Sequence, residues 1–132
     1  MQGSMSFVSP RWFVRLWIAG FLLSGFSAQG VGQRDFALST AWGINAGWQR
    51  ELFFFNLFAA TVLAIIDRKA PNLERPLVLP LTLLPLCLGL NHLSGALSGA
   101  PVVVGNWMGA VSNGLAVAFG ALVLLTSRKE IA

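Results

Sequence analysis

The chain has 132 residues, of which 55% are hydrophobic and 11% charged, with no Tyr and a formal net charge of +4. Soluble domains carry about 25% charged residues, and a mean hydropathy of +0.70 leaves too little polar sequence to surface a soluble enzyme. A single cysteine excludes a disulfide scaffold, and the nine basic residues behind the pI of about 10.7 form no one face, which speaks against a nucleic-acid partner.

Four apolar stretches, at about 12–29, 50–66, 77–98 and 102–126, dominate the sequence. Each is near the ~20 residues needed to cross a ~30 Å hydrocarbon core. They predict an all-α fold: an integral membrane four-helix transmembrane bundle forming one domain over 1–132. The basic residues fit this arrangement as topology signals. Arg11, Arg15, Arg68, Lys69, Arg75, Arg128 and Lys129 fall on one side, and Arg34 and Arg50 on the other. The positive-inside rule then puts both termini in the cytoplasm, N-in/C-in. A three-span arrangement weakens that bias.

Arg11 and Arg15 ahead of an apolar run give the start the look of a signal peptide; we read it as a retained first span, with Pro10 at the first helical turn. Gly20 and Ser24 form a small-xxx-small pair that favours close helix approach. The outer loop 30–49 carries Trp42 and Trp48 and is long enough to be functional; a short helix is expected near 35–41, lying on the membrane interface. The second span opens with Arg50 and Glu51 and carries Phe53, Phe54, Phe55 and Phe58. The third contains Pro80 and Pro85, which predict a kink, and Cys87, read as a buried structural thiol. In the fourth, Gly105, Gly109, Ala110, Gly114, Ala116 and Gly120 mark a closely packed face.

Ionisable groups within a span are costly in lipid and are functional candidates by default. His92 in the third span is the clear case, with Asn91 before it. Arg50, Glu51, Trp48, Asn106 and Gln29 come to the same level from the other spans, and this convergence is the most informative feature of the sequence. Three readings compete for it: interhelical hydrogen bonding, an outward pocket for an amphiphile or ion, and an axial haem or chlorophyll-type ligand at His92. Asn56 and Asn113 are read as interhelical hydrogen-bonding residues. No Ser-His-Asp set, metal-ligand spacing or phosphate loop is present in the sequence, so no catalytic residue and no firm cofactor or metal is assigned; bound lipid is expected.

The ensemble Gly47-Trp48-Gln49-Arg50-Glu51, Asn56-Leu57, His92 and Gly105-Asn106-x-x-Gly109 resembles a family of small bacterial four-helix inner-membrane proteins of unknown function. The resemblance covers roughly 11–125. It implies a four-helix membrane fold and a polar set of Arg50, Glu51, Asn56, His92 and Asn106, and it implies no activity.

The leading expectation is a non-enzymatic accessory or structural subunit, packing in a larger membrane complex or homo-oligomer through the Phe face of the second span and the small-residue face of the fourth. The alternative is a binding or transport module with its pocket around His92. A reporter fused after Ala132 is expected to be active in the cytoplasm; periplasmic activity overturns the four-span topology.

Overall fold

The structure, a computed structural model, describes residues 8–128. Lys129, counted in the charge bias, and residues 1–7 of the amino-terminal arm lie outside the described residues. Helix α1 (Pro10–Ser24) runs directly into a π-helical segment (Gly25–Val31), followed by the short α2 (Gln33–Leu38). Helix α3 (Ala46–Lys69), a 3-10 turn (Pro71–Leu73), α4 (Glu74–Ala96) and α5 (Val104–Arg128) complete the order. Four stretches are long and apolar enough to cross a membrane: Pro10–Val31, Ala46–Lys69, Pro71–Ala96 and Val104–Ser127.

Local chemistry sets the helix ends. Ser9 caps α1, its hydroxyl accepting from the Trp12 amide, and Pro10 takes the first-turn position where no N–H is needed. Asn45 caps α3 in the same way, accepting from the Trp48 amide at 3.1 Å, so the helix begins at Ala46 rather than near 50. At its other end Arg68 and Lys69 occupy the last turn, where cations meet the negative end of the helix dipole. Helix α4 continues through both Pro80 and Pro85. The short helix expected near 35–41 is α2, from Gln33 to Leu38. Cys87 is exposed on α4, not buried.

Up-down-up-down connectivity produces two hairpins, α1/α3 and α4/α5. Helix α1 is the element that joins them, packing on α3 along one side and on α4, with less on α5, along the other. The hairpins meet in a core of Phe13, Val14, Phe21, Leu63, Val78 and Val123. Beside it, Asp67 receives both Arg15, at 3.1 Å, and Arg11, at 3.2 Å, with the buried Glu74 4.0 Å from Arg11. This ion cluster ties α1 to α3 and to the start of α4.

Glycine governs the α4/α5 contact. Proceeding along the antiparallel pair, Gly120 lies against Thr82, Gly89 against Asn113, Gly109 against the His92 ring, and Gly95 against the Asn106 amide. A Cβ at Gly120, Gly109 or Gly95 collides with its partner, so the small residue on one helix is what admits the larger polar one from the other. Close approach multiplies dispersion contacts worth about 0.1–0.2 kcal/mol each. Gly105 serves a different neighbour, Ser39 and Thr40 of the segment after α2. Two expected packing positions are not used in this way. A Cβ at Gly20 or Gly114 meets nothing within 4 Å, because Gly20 faces a cleft, together with Ser24.

Gly120→Ala is therefore expected to cost about 1–3 kcal/mol by overpacking against Thr82. Gly114→Ala, in open space, should be neutral or slightly stabilising through the unfolded state. Thermal unfolding of the two variants in detergent separates them.

Candidate functional site

At the end of the bundle remote from Asp67 the two hairpins diverge, because α3 packs on α1 and the π segment with little against α4 or α5. The space between them is a cleft of about 660 Å³, within the range of ~300–1,000 Å³ typical of small-molecule sites. It is graded along its length. Toward the core its walls are Phe13, Trp17, Phe21, Leu115 and Phe119; toward α2 they are Gln29, Gln49, Asn56, Asn91, His92 and Asn113. Trp42 and Trp48 stand at the rim. Among the described residues, no Asp, Glu, Lys or Arg lines it.

Each polar side chain reaches this layer by a local device. The π segment carries an extra residue per turn, a feature that often marks functional sites, and it holds Gln29 in a buried position. Gly25 and Gly30 let the segment lie on Asn56 and Phe53 of α3. On α3 the positions Gln49, Leu52, Asn56, Ala60 and Leu63 follow helical spacing, and Gln49, Ala60 and Leu63 are buried. His92 is brought in by Gly109, with Nδ1 turned toward α5. The Trp42 ring covers the imidazole at a centroid distance of 4.9 Å, tilted by 51°. A second, shallower groove of about 570 Å³ lies against His92 on its other side, with Asp35 and Met108 among its walls.

A strap closes the cleft above this layer. The Ser39 carbonyl accepts from the Gly105 amide at 2.8 Å, satisfying a donor in the first turn of α5. The Asn106 Oδ1 accepts from the Ala41 amide at 2.7 Å. Asn106 is 0% exposed. It stands behind the cleft wall and holds the segment that carries Trp42 over His92.

Several polar atoms of this region are buried without a hydrogen-bond partner: Gln29 Oε1, Gln49 Oε1, His92 Nδ1 and Asn106 Nδ2. Buried polar atoms are nearly always paired, and each exception asks for an explanation. Gln29 and Gln49 are only 9% and 4% exposed and both line the cleft.

The residues singled out in the sequence thus divide. Trp48, Asn91 and His92 line the cleft, as do Gly20 and Ser24. Asn106, Gly105 and Gly109 support it from behind. Arg50 and Glu51 do not enter: both are exposed, and Arg50 bonds back to the Ala46 carbonyl on its own helix. Residue Glu51 points away because the buried stripe of α3 passes through Gln49. Asn113 is not an interhelical bridge, since its amide donates to the Gly109 carbonyl of α5 itself. Sequence reasoning passed over Gln49 and the capping role of Trp42. The first was legible in the spacing from Gln49 through Asn56 to Leu63; the second had no local signal. Among the described residues no group of three His, Cys, Asp or Glu side chains is placed to hold a metal ion.

The fold and cleft define a class: a four-helix bundle with membrane-length helices and an uncharged cleft between its two hairpins. No family model, curated protein or solved structure matches the chain.

Removing the strap's anchor tests its role. Asn106→Ala leaves the Ala41 amide unpaired, a loss of about 1–3 kcal/mol, and should raise amide hydrogen exchange at 39–42 about tenfold or more while the Asp67 end keeps its protection.

Proposed function

We propose that the chain is a non-enzymatic, multi-pass membrane protein that holds an amphiphilic molecule in the cleft beside His92. The carrying observation is the cleft itself: apolar at depth, amide- and imidazole-lined above, with buried polar atoms lacking partners. The membrane setting is supported by the four apolar helices and by their outward faces, where Leu23, Phe58 and Met108 are each about two-thirds or more exposed. Apolar surface on that scale marks contact with lipid or protein. We take the orientation from the charge bias, with both termini cytoplasmic at a bacterial inner membrane, so the cleft opens toward the outer side.

A second reading has its own observation. Phe54, Phe55 and Phe58 of α3 are 64%, 53% and 66% exposed, a face suited to another membrane subunit or a second copy. The small residues of α5 lend this reading less, since Gly105, Gly109 and Gly120 are already occupied within the chain. The family resemblance rests on its residues alone and names no activity for either reading.

Purification in a gentle detergent, followed by mass spectrometry of co-eluting lipids and proteins and a visible spectrum, tests both. Binding predicts a stoichiometric small amphiphile that His92→Ala releases and Cys87→Ala retains. A stoichiometric visible band would make His92 a pigment or haem ligand. Defined protein partners with no small molecule, unchanged by His92→Ala, would favour the subunit reading.

A further inference from the structure

Where the two hairpins close, at the end remote from the cleft, two carboxyl groups meet. Asp67 lies near the end of α3 and Glu74 opens α4, with the 3-10 turn between them, outside the apolar stretches 50–66 and 77–98. Both face one cation: Arg11 Nε stands 3.2 Å from Asp67 Oδ1 and 4.0 Å from Glu74 Oε1. Their surroundings are otherwise unlike. Asp67 accepts from Arg11 Nε, from Arg15 Nε at 3.1 Å and from Arg15 Nη2 at 3.4 Å. Glu74 is 6% exposed, and its Oε1 is sealed from water with no donor of its own. At 4.0 Å, Arg11 is beyond hydrogen-bonding reach of that oxygen. The first turn of α4 presents the positive end of the helix dipole, yet no amide there bonds Oε1. Arg75, next in sequence, turns away to the Ser127 carbonyl of α5.

A buried carboxylate keeps its charge when it is paired and hydrogen-bonded. Asp67 meets that condition and Glu74 does not. Two carboxyls that share a site repel when both are ionised, so one retains a proton. Asp67 is a hydrogen-bonding neighbour of Glu74 and supplies the acceptor that a protonated Glu74 needs. We propose that Glu74 carries a proton in the native protein at neutral pH and donates it in a hydrogen bond to Asp67, making this end of the bundle a binding site for one proton. The site is independent of the cleft and its ligand. The charged groups facing it are Arg11 and Arg15 from α1 and Asp67 from α3, among the described residues. Its occupancy decides the allegiance of Arg11. With the proton in place, both guanidiniums rest on Asp67 and tie α1 to α3. When the proton leaves to water, Glu74 becomes a second anion beside Arg11 and draws that guanidinium toward α4, moving a contact from within one hairpin to between the two.

Carbon-13 NMR of the full chain in detergent micelles, labelled at the glutamate carboxyls, reads the proton directly. The sequence has three glutamates, and the Glu74 resonance is identified by its loss in Glu74→Gln. A free glutamate is about 99% ionised at pH 7; Glu74 should be mostly protonated there and ionise only at higher pH. Asp67→Asn removes the second carboxylate and releases the arginines to Glu74, which should then be mostly ionised at pH 7. Because the folded chain holds a proton that the unfolded chain has released, thermal stability should fall as the pH rises from about 5 to 8. It should fall less in Glu74→Gln, whose carboxamide keeps a donor for Asp67 and does not titrate. An ionised Glu74 at pH 7 in the native chain overturns the proposal. So does a Glu74 that stays protonated in folded Asp67→Asn, since burial alone would then hold the proton. If Asp67→Asn does not fold, the titration of the native chain decides.

Discussion

The His92 end of this protein depends on how closely α4 and α5 can approach. Wherever a polar side chain on one helix would hold the pair apart, the other helix presents a glycine: Gly120 to Thr82, Gly109 to His92, Gly95 to Asn106. The contact does more than bind two helices together. By receiving the imidazole, Gly109 makes His92 a wall of the cleft instead of a wedge between helices. By receiving the carboxamide, Gly95 leaves Asn106 free to accept from Ala41, and so fixes the strap that carries Trp42. A methyl group at Gly109 would push on His92 directly, and one at Gly95 would displace Asn106 and with it the strap.

The opposite end works by different forces. There an apolar core draws the hairpins together, Asp67 of α3 is shared between Arg11 and Arg15 of α1, and Arg11 reaches Glu74 at the start of α4. An isolated surface ion pair is worth about 0–1 kcal/mol; one carboxylate meeting two guanidiniums on a neighbouring helix fixes geometry more than it adds stability. With one end clamped and α3 resting mainly on α1, the other end has space between the hairpins. The π segment extends α1 into that space and delivers Gln29, where a regular helix would shift the register of every later side chain.

Much of this architecture was legible in the sequence, because hydropathy over windows of about twenty residues is a strong signal and depth in an apolar layer follows from counting. That reasoning gave the four long helices and gathered Trp48, Asn91 and His92 at one level. Facing is harder. Arg50 and Glu51 share the level of His92 but sit on the wrong side of α3, since adjacent residues on a helix point about 100° apart and the inward stripe runs through Gln49. Small-residue spacing had the same weakness. The same spacing marks Gly105, Gly109 and Gly120, which have close neighbours within the chain, and Gly20 and Gly114, which have none within 4 Å, because glycine permits an approach without saying whether a partner takes it. The Asp67 cluster was missed although Arg11 and Arg15 lie four apart on one helical face; both had been counted only as charges.

The loose seating of α3 has a consequence for access. In the membrane setting proposed above, a molecule dissolved among acyl chains would not need to pass the strap or leave the hydrocarbon to reach the cleft. It can arrive sideways, between the two hairpins, by diffusion in the plane of the bilayer. Under the proposed binding role, local abundance in the membrane, rather than concentration in water, would set how often the site is filled, and a hydrophobic ligand of modest intrinsic affinity would keep it saturated.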